Sequence, residues 1–204
     1  MTNSTLFKII GSIAILAAAA SIAGLGTFAT FTSSTSASNA ISSGTVSIAL
    51  GATGSVTNRL TVNASNIVPG DTIQRSVDLT SSSSDPLGSL SLTTSAAPSS
   101  LLDTDPTNGL QMTITECSVP WTESGTSPAF TYTCSGTTTS VLASRALIGS
   151  NIGLSGLNVL TSANSTDHLR VTLSLPASAG NTFQGLSSTV TYAFTGTQRA
   201  ATNK

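Results

Sequence analysis

Charge is scarce in this sequence. Asp, Glu, Lys and Arg make up 7% of its 204 residues, and the formal net charge is −1. Its lysines, Lys8 and Lys204, lie near opposite ends, and Arg59, Arg75, Arg145, Arg170 and Arg199 are scattered. A surface that binds the phosphate backbone needs clustered Lys and Arg, so no nucleic-acid partner is expected. Histidine is rarer still, with His168 alone. A zinc peptidase centre takes two or three converging His or carboxylate ligands and a general base. The chain has no H-E-x-x-H segment. His168 follows Asp167 at the start of an alternating run, where neighbouring side chains point to opposite faces. It reads as a polar strand-edge residue, with ligation beside distant carboxylates as the competing reading. The abundant serines lack a positioned base, which argues against a Ser-His-Asp triad. The expectation is therefore no catalytic residue, no metal and no cofactor.

Ser and Thr, by contrast, supply about a third of the chain. Low charge with 4% aromatics could signal disorder. A mean hydropathy of +0.27 and recurring Val, Ile and Leu argue instead for a packed domain. Thr and other β-branched residues suit the half-buried face of a sheet.

The N-terminal stretch has the layout of an export signal. Lys8 precedes the apolar run Ile9–Leu16, and an Ala-rich stretch continues to Ala23. A positive region, an apolar core and small residues beyond it mark a secretory signal peptide. The rival is a membrane anchor, since Ile9 to Phe31 is about 23 residues, enough to span a bilayer. Gly, Ser and Thr interrupt the end of that run, and no basic stop-transfer cluster follows. Small residues at Thr27 and Ala29 place the expected cut between Ala29 and Thr30, with Thr30 as the first mature residue. This divides the chain into a signal peptide (1–29), a Ser/Thr-rich arm (30–43) that is flexible or edge-strand, and a domain (44–204).

Within the domain, short period-2 runs alternate with turn residues. Val46, Ile48 and Leu50 alternate; Val56, Leu60 and Val62 do so less cleanly. Pro69-Gly70-Asp71 marks a turn, followed by Ile73, Val77 and Leu79 with Arg75 interrupting the apolar face. Further runs are Leu90/Leu92, Leu110/Met112/Ile114, Phe130/Tyr132/Cys134, Leu169/Val171/Leu173/Leu175 and Val190/Tyr192/Phe194. Such spacing predicts an all-β, jelly-roll-like antiparallel β-sandwich. At most short helices are expected, over Val141–Ile148 and near Leu154–Leu160.

Three local features invite chemistry. The stretch Asp103–Gly109 faintly resembles a calcium loop, but its glycine falls one place late and Ile114 occupies the position of the bidentate Glu. A solvated turn is the better reading, with an irregular calcium site left open. Cys117 and Cys134 are the only cysteines. In an exported chain they read as a disulfide rather than free thiols or metal ligands. They bracket Pro120, Trp121, Glu123, Gly125 and Pro128, where Trp121 is a packing residue or, alternatively, a binding residue at a loop tip. Asn63-Ala64-Ser65 and Asn164-Ser165-Thr166 fit the N-glycosylation pattern, which arises by chance in a Ser/Thr-rich chain.

Four segments carry a family resemblance. Gly24–Phe31 resembles the signal-peptide end of camelysin and the TasA-type biofilm-fibre proteins, and Asn39–Val46 resembles the family's approach to its first core strand. Asn66–Asp71 is similar to its Pro-Gly-Asp turn, and Asn181–Gly185 with Tyr192–Gln198 to its closing pattern. Residues 95 to 165 carry no such match. The resemblance implies an extracellular jelly roll, processed by a dedicated signal peptidase and found in surface filaments or biofilm matrix; some relatives are described as metalloendopeptidases. The Cys pair and very low charge depart from the fibre proteins. The resulting expectation is a secreted structural protein of the cell surface or matrix. It would self-associate by strand addition or join other matrix proteins, and meet the membrane only through its signal segment. The alternatives are a camelysin-like metalloendopeptidase and a surface adhesin or carbohydrate-binding module.

Overall fold

Alternating apolar and polar residues let a strand bury one face and wet the other. Thr166–Ser174 does this without a break: Asp167, Leu169, Val171 and Leu173 are buried, and the residues between them are half-exposed. In the computed structural model, which describes residues 45–61 and 67–201, this run is the middle strand of the larger of two sheets. The strands are β1 (Ile48–Leu50), β2 (Thr72–Ser81), β3 (Leu87–Ala96), β4 (Gln111–Cys117), β5 (Thr122–Thr126), β6 (Ala129–Thr133), β7 (Thr138–Ala146), β8 (Gly149–Leu154), β9 (Thr166–Ser174) and β10 (Val190–Gln198). The five-stranded sheet has the order β1-β2-β9-β4-β7, the three-stranded sheet β10-β3-β8, and β5-β6 is a separate hairpin. Every pairing is antiparallel. The chain passes between sheets repeatedly: β2 to β3, β3 to β4, β7 to β8, β8 to β9 and β9 to β10. The fold is a jelly-roll-like antiparallel sandwich, as the strand spacing predicts.

The inner faces meet in one apolar core. Val77 and Leu79 of β2, Met112 and Ile114 of β4 and Leu169 and Val171 of β9 pack with Leu90 and Leu92 of β3 and Ile152 and Leu154 of β8. Tyr192 and Phe194 of β10 join from the edge and stay partly exposed. Register enforces this. Val77 lies opposite Leu169, and Ile114 opposite Val171, so both sheet neighbours of β9 turn the same parity inward.

One helical expectation changes and the other is met by a single short turn of helix. Val141–Ile148 is mostly strand, within β7: Val141 is buried, Ile114 opposes Leu142, and pairing along β4 overrides a spacing that also suits a helix turn. The Leu154–Leu160 region contains a 3-10 turn, Asn158–Leu160. A four-residue helix unanticipated in the sequence, α1 (Leu101–Thr104), is set by a capping box in which Ser100 Oγ accepts from Leu102 N and Asp103 accepts from Ser100 N. Turns occupy the Val56–Leu60 region, where Asn58 makes one bridge to Val77, and Val62 lies outside the described residues. The signal segment 1–29, the arm 30–43 and Asn63-Ala64-Ser65 also lie outside them. Both residues of the expected cleavage site, Ala29 and Thr30, fall in that undescribed stretch.

Ile114 and Leu169 are fully buried. Replacing either with Ala should lower unfolding free energy by about 2–5 kcal/mol, through lost burial plus the cavity left behind. Denaturant titration followed by circular dichroism checks this.

Candidate functional site

The same sheet that buries Ile114 on its inner face carries a second buried cluster, around Cys117, at the far end of β4. What covers it is the β5-β6 hairpin, an excursion of the chain between β4 and β7. The hairpin aligns Thr122 with Thr133, Glu123 with Tyr132 and Gly125 with Phe130. Gly125 adopts φ +86°, a left-handed conformation that glycine tolerates best, close against the Ala129 carbonyl. Thr122, Ser124, Thr131 and Thr133 face solvent, while Phe130 and Tyr132 are buried in the second apolar cluster with Trp121 and Cys117.

Several independent ties hold this hairpin down. Cys117 and Cys134 form a disulfide, with Cα atoms 5.8 Å apart. A closed loop of this size stabilises by about 3 kcal/mol in the chain-entropy picture. Trp121 Nε1 donates to the His168 carbonyl at 2.9 Å, and the Arg170 guanidinium lies 4.5 Å from the indole centroid. Trp121 is thus a packing residue. Desolvation lowers the Arg170 pKa from its ordinary value. Tyr132 N donates to Gln74 Oε1 at 3.2 Å. Arg59 makes a two-pronged contact with Glu123, at 2.9 and 2.6 Å, and stacks 4.5 Å from the Phe130 centroid. Tyr132 Oη donates to the same carboxylate at 2.8 Å. The hydrogen bond from Arg59 is the main reason the Glu123 carboxyl titrates below its ordinary value.

His168 Nδ1 lies 2.8 Å from Asp78 Oδ1 on the outer face of the sheet. The backbone register sets this pair, since Asp78 and His168 are directly opposed. The serine nearest in strand phase, Ser76, donates its hydroxyl to the Val56 carbonyl instead. The other carboxylates are equally occupied. Asp71 accepts from Val68 N, and Asp85 pairs with Arg199 at 3.5 Å. Asp105 accepts from Thr107 N and Asn108 N at 2.8 and 2.9 Å, so the calcium-like stretch closes on itself as a turn. Its first residue departs from the solvated-turn expectation, because Asp103 is buried and bonded to Ser99, Ser100 N and Ser188. On the inner face, Glu116 and Asp167 meet at Asn158. Sequence reasoning misses that cluster, although both acids fall in phase with apolar core positions. Of the residues singled out in the sequence, Cys117 and Cys134 are brought together; Ala29 and Thr30 stand outside the described residues.

The family model described as camelysin metallo-endopeptidase matches residues 5–113. This chain belongs to the camelysin family. The matched stretch covers β1 to β3 and the first residues of β4. Three of the four segments that carry the resemblance fall inside it; the one at 181–198 lies beyond it, as do the hairpin and His168. No curated protein matches the sequence.

The family description implies a metal centre, and the donors in this camelysin-family chain do not fit one. Every His, Cys, Asp and Glu of the sequence lies among the described residues. No three of them gather closely enough to hold an ion. The two cysteines are consumed by the disulfide, and the single imidazole faces one carboxylate.

Glu123 gives the hairpin a pH dependence with a definite sign. A carboxyl whose folded pKa is depressed contributes its full stabilisation above the unfolded value and loses it as pH falls through the folded one. Acidification below the carboxylate range should therefore loosen the hairpin. The fluorescence of Trp121, the only tryptophan, reports it. In Glu123→Gln the step attributable to this carboxyl should disappear.

Proposed function

We propose that this camelysin-family protein is a secreted structural component of the cell surface or extracellular matrix, and that it self-associates by strand addition. The observation that carries the reading is the open edge of the smaller sheet. The nine-residue strand β10 pairs with β3 alone among the described residues. Its inward side chains Val190, Tyr192 and Phe194 remain half-exposed, whereas the inner residues of central strands such as β9 are buried. An edge strand offers unpaired N–H and C=O groups that can accept a strand from another molecule.

The proposed donor is the arm 30–43 of a second copy. It lies just ahead of the sandwich domain in sequence, carries no charge and includes Phe31 and Ile41. A head-to-tail contact of this kind need not close, and non-closing contacts build filaments. The low net charge removes much of the repulsion between stacked copies. Export through the signal segment 1–29 belongs to the same proposal, with cleavage after Ala29 leaving Thr30 at the mature N-terminus. So does association with other matrix proteins. N-terminal sequencing of the exported protein should begin at or near Thr30.

A second reading comes from the family description, a metallo-endopeptidase, and its test is direct. Purified protein should leave casein uncut, with or without added zinc. Chelator-sensitive cleavage that vanishes in His168→Ala would favour the peptidase. For the structural reading, the test is deletion of residues 30–43 from the mature protein. The truncated domain should keep its β-sheet circular dichroism and run as a monomer in sizing and electron microscopy, while the intact mature protein forms filaments. Filaments that persist without the arm would assign assembly to another surface.

A further inference from the structure

The inner face of the larger sheet carries two acids where the pattern calls for apolar residues. Glu116 follows Met112 and Ile114 in strand phase, and Asp167 precedes Leu169 and Val171. Because Glu116 opposes Leu169, Asp167 is its diagonal neighbour across β4 and β9. Asp167 is fully buried and Glu116 nearly so.

Both acids engage one residue of the β8–β9 connection. Asn158 N donates to Asp167 Oδ1 at 2.6 Å, Val159 N to Asp167 Oδ2 at 3.1 Å, and Asn158 Nδ2 to Glu116 Oε1 at 2.8 Å. These bonds pin the Asn158–Leu160 turn and hold Leu157 and Val159, both buried, in the core.

No arginine or lysine stands opposite either acid. On β9, His168 and Arg170 belong to the outer face, where His168 is bonded to Asp78 of β2 and Arg170 lies against Trp121. β7 presents Thr139 opposite Glu116, and its Arg145 opposes Met112. β2 presents Leu79 opposite Asp167, and its Arg75 opposes Val171, four positions back along the strand. β3 and β8 carry no charged residue.

We propose that Glu116 and Asp167 act as a proton-dependent latch, in which a proton held on Glu116 lets two adjacent buried carboxyl groups fasten the 155–165 connection to the sheet, and loss of that proton releases it. Two carboxyl groups sharing a buried site cannot both ionise cheaply. Burial, first, and then the Asp167 carboxylate hold the Glu116 pKa above its ordinary value, opposed by the bond from Asn158 and the charge of His168. A group whose folded pKa is raised contributes stability that is complete below its unfolded value and is lost as pH rises through the folded one. The latch therefore opens toward higher pH, the reverse of the Arg59–Glu123 tie.

The test reads the latch locally in the intact protein. A carboxyl-detected NMR titration of Glu116 should give a midpoint above that of glutamate in an unstructured peptide; a midpoint at or below that value overturns the proposal. Amide exchange at Asn158 and Val159 should accelerate across the same interval by about tenfold or more relative to amides paired between β2 and β9, and that excess should vanish in Glu116→Gln. Equal acceleration in wild type and variant also overturns the proposal. His168→Gln separates the imidazole's own titration: the excess should persist in that variant, and its loss would assign the switch to histidine. If Glu116→Gln fails to fold, the wild-type titration decides.

Discussion

The packing of β9 between β2 and β4 is the constraint on which the rest of the structure depends. It is hydrogen-bonded along both edges, and its residues serve two surfaces in strict alternation. Leu169, Val171 and Leu173 close the core, while His168 and Arg170 underlie the hairpin. A one-residue slip would exchange these faces, sending an imidazole and a guanidinium into the core and three aliphatic side chains outward. The register of this one strand therefore sets the sandwich, the seat of the hairpin and the position of the acid pair together.

With only seven basic and eight acidic side chains available, the protein uses them mostly as local ties. Arg59 and Glu123 bind the hairpin to the turn region before β2. Asp103 and Asp105 order the chain around α1. Buried charges are costly unless paired or hydrogen-bonded, and the acidic side chains here find partners in backbone N–H groups, hydroxyls, the Asn158 amide, the His168 imidazole or an arginine. A catalytic acid or base must keep an acceptor or donor for substrate. Each acidic side chain here already has a partner within its own chain.

The hairpin lies beyond the residues that the family model matches. It buries the only tryptophan and the disulfide against the larger sheet and presents a row of hydroxyls to solvent.

Much of this was readable in the chain. The all-β class and most strands followed from period-2 runs such as Leu169 to Leu175, because burial of one face demands alternation whatever the partner strand. That His168 is the single imidazole was equally plain. Tertiary structure decided what alternation alone cannot. Val141–Ile148, expected as a short helix, is strand through Ala146 because β4 supplies hydrogen bonds along that part. The partner of His168 is Asp78, 90 positions away, because antiparallel register and not sequence proximity makes them neighbours. Trp121 became a packing residue only when the hairpin folded over Arg170. Glu116 drew no notice in the sequence, and only the pairing of β4 with β9 placed it with Asp167 beneath Asn158. Local periodicity determines which face of a strand is apolar; long-range register determines which side chains share that face, and so what they can do together.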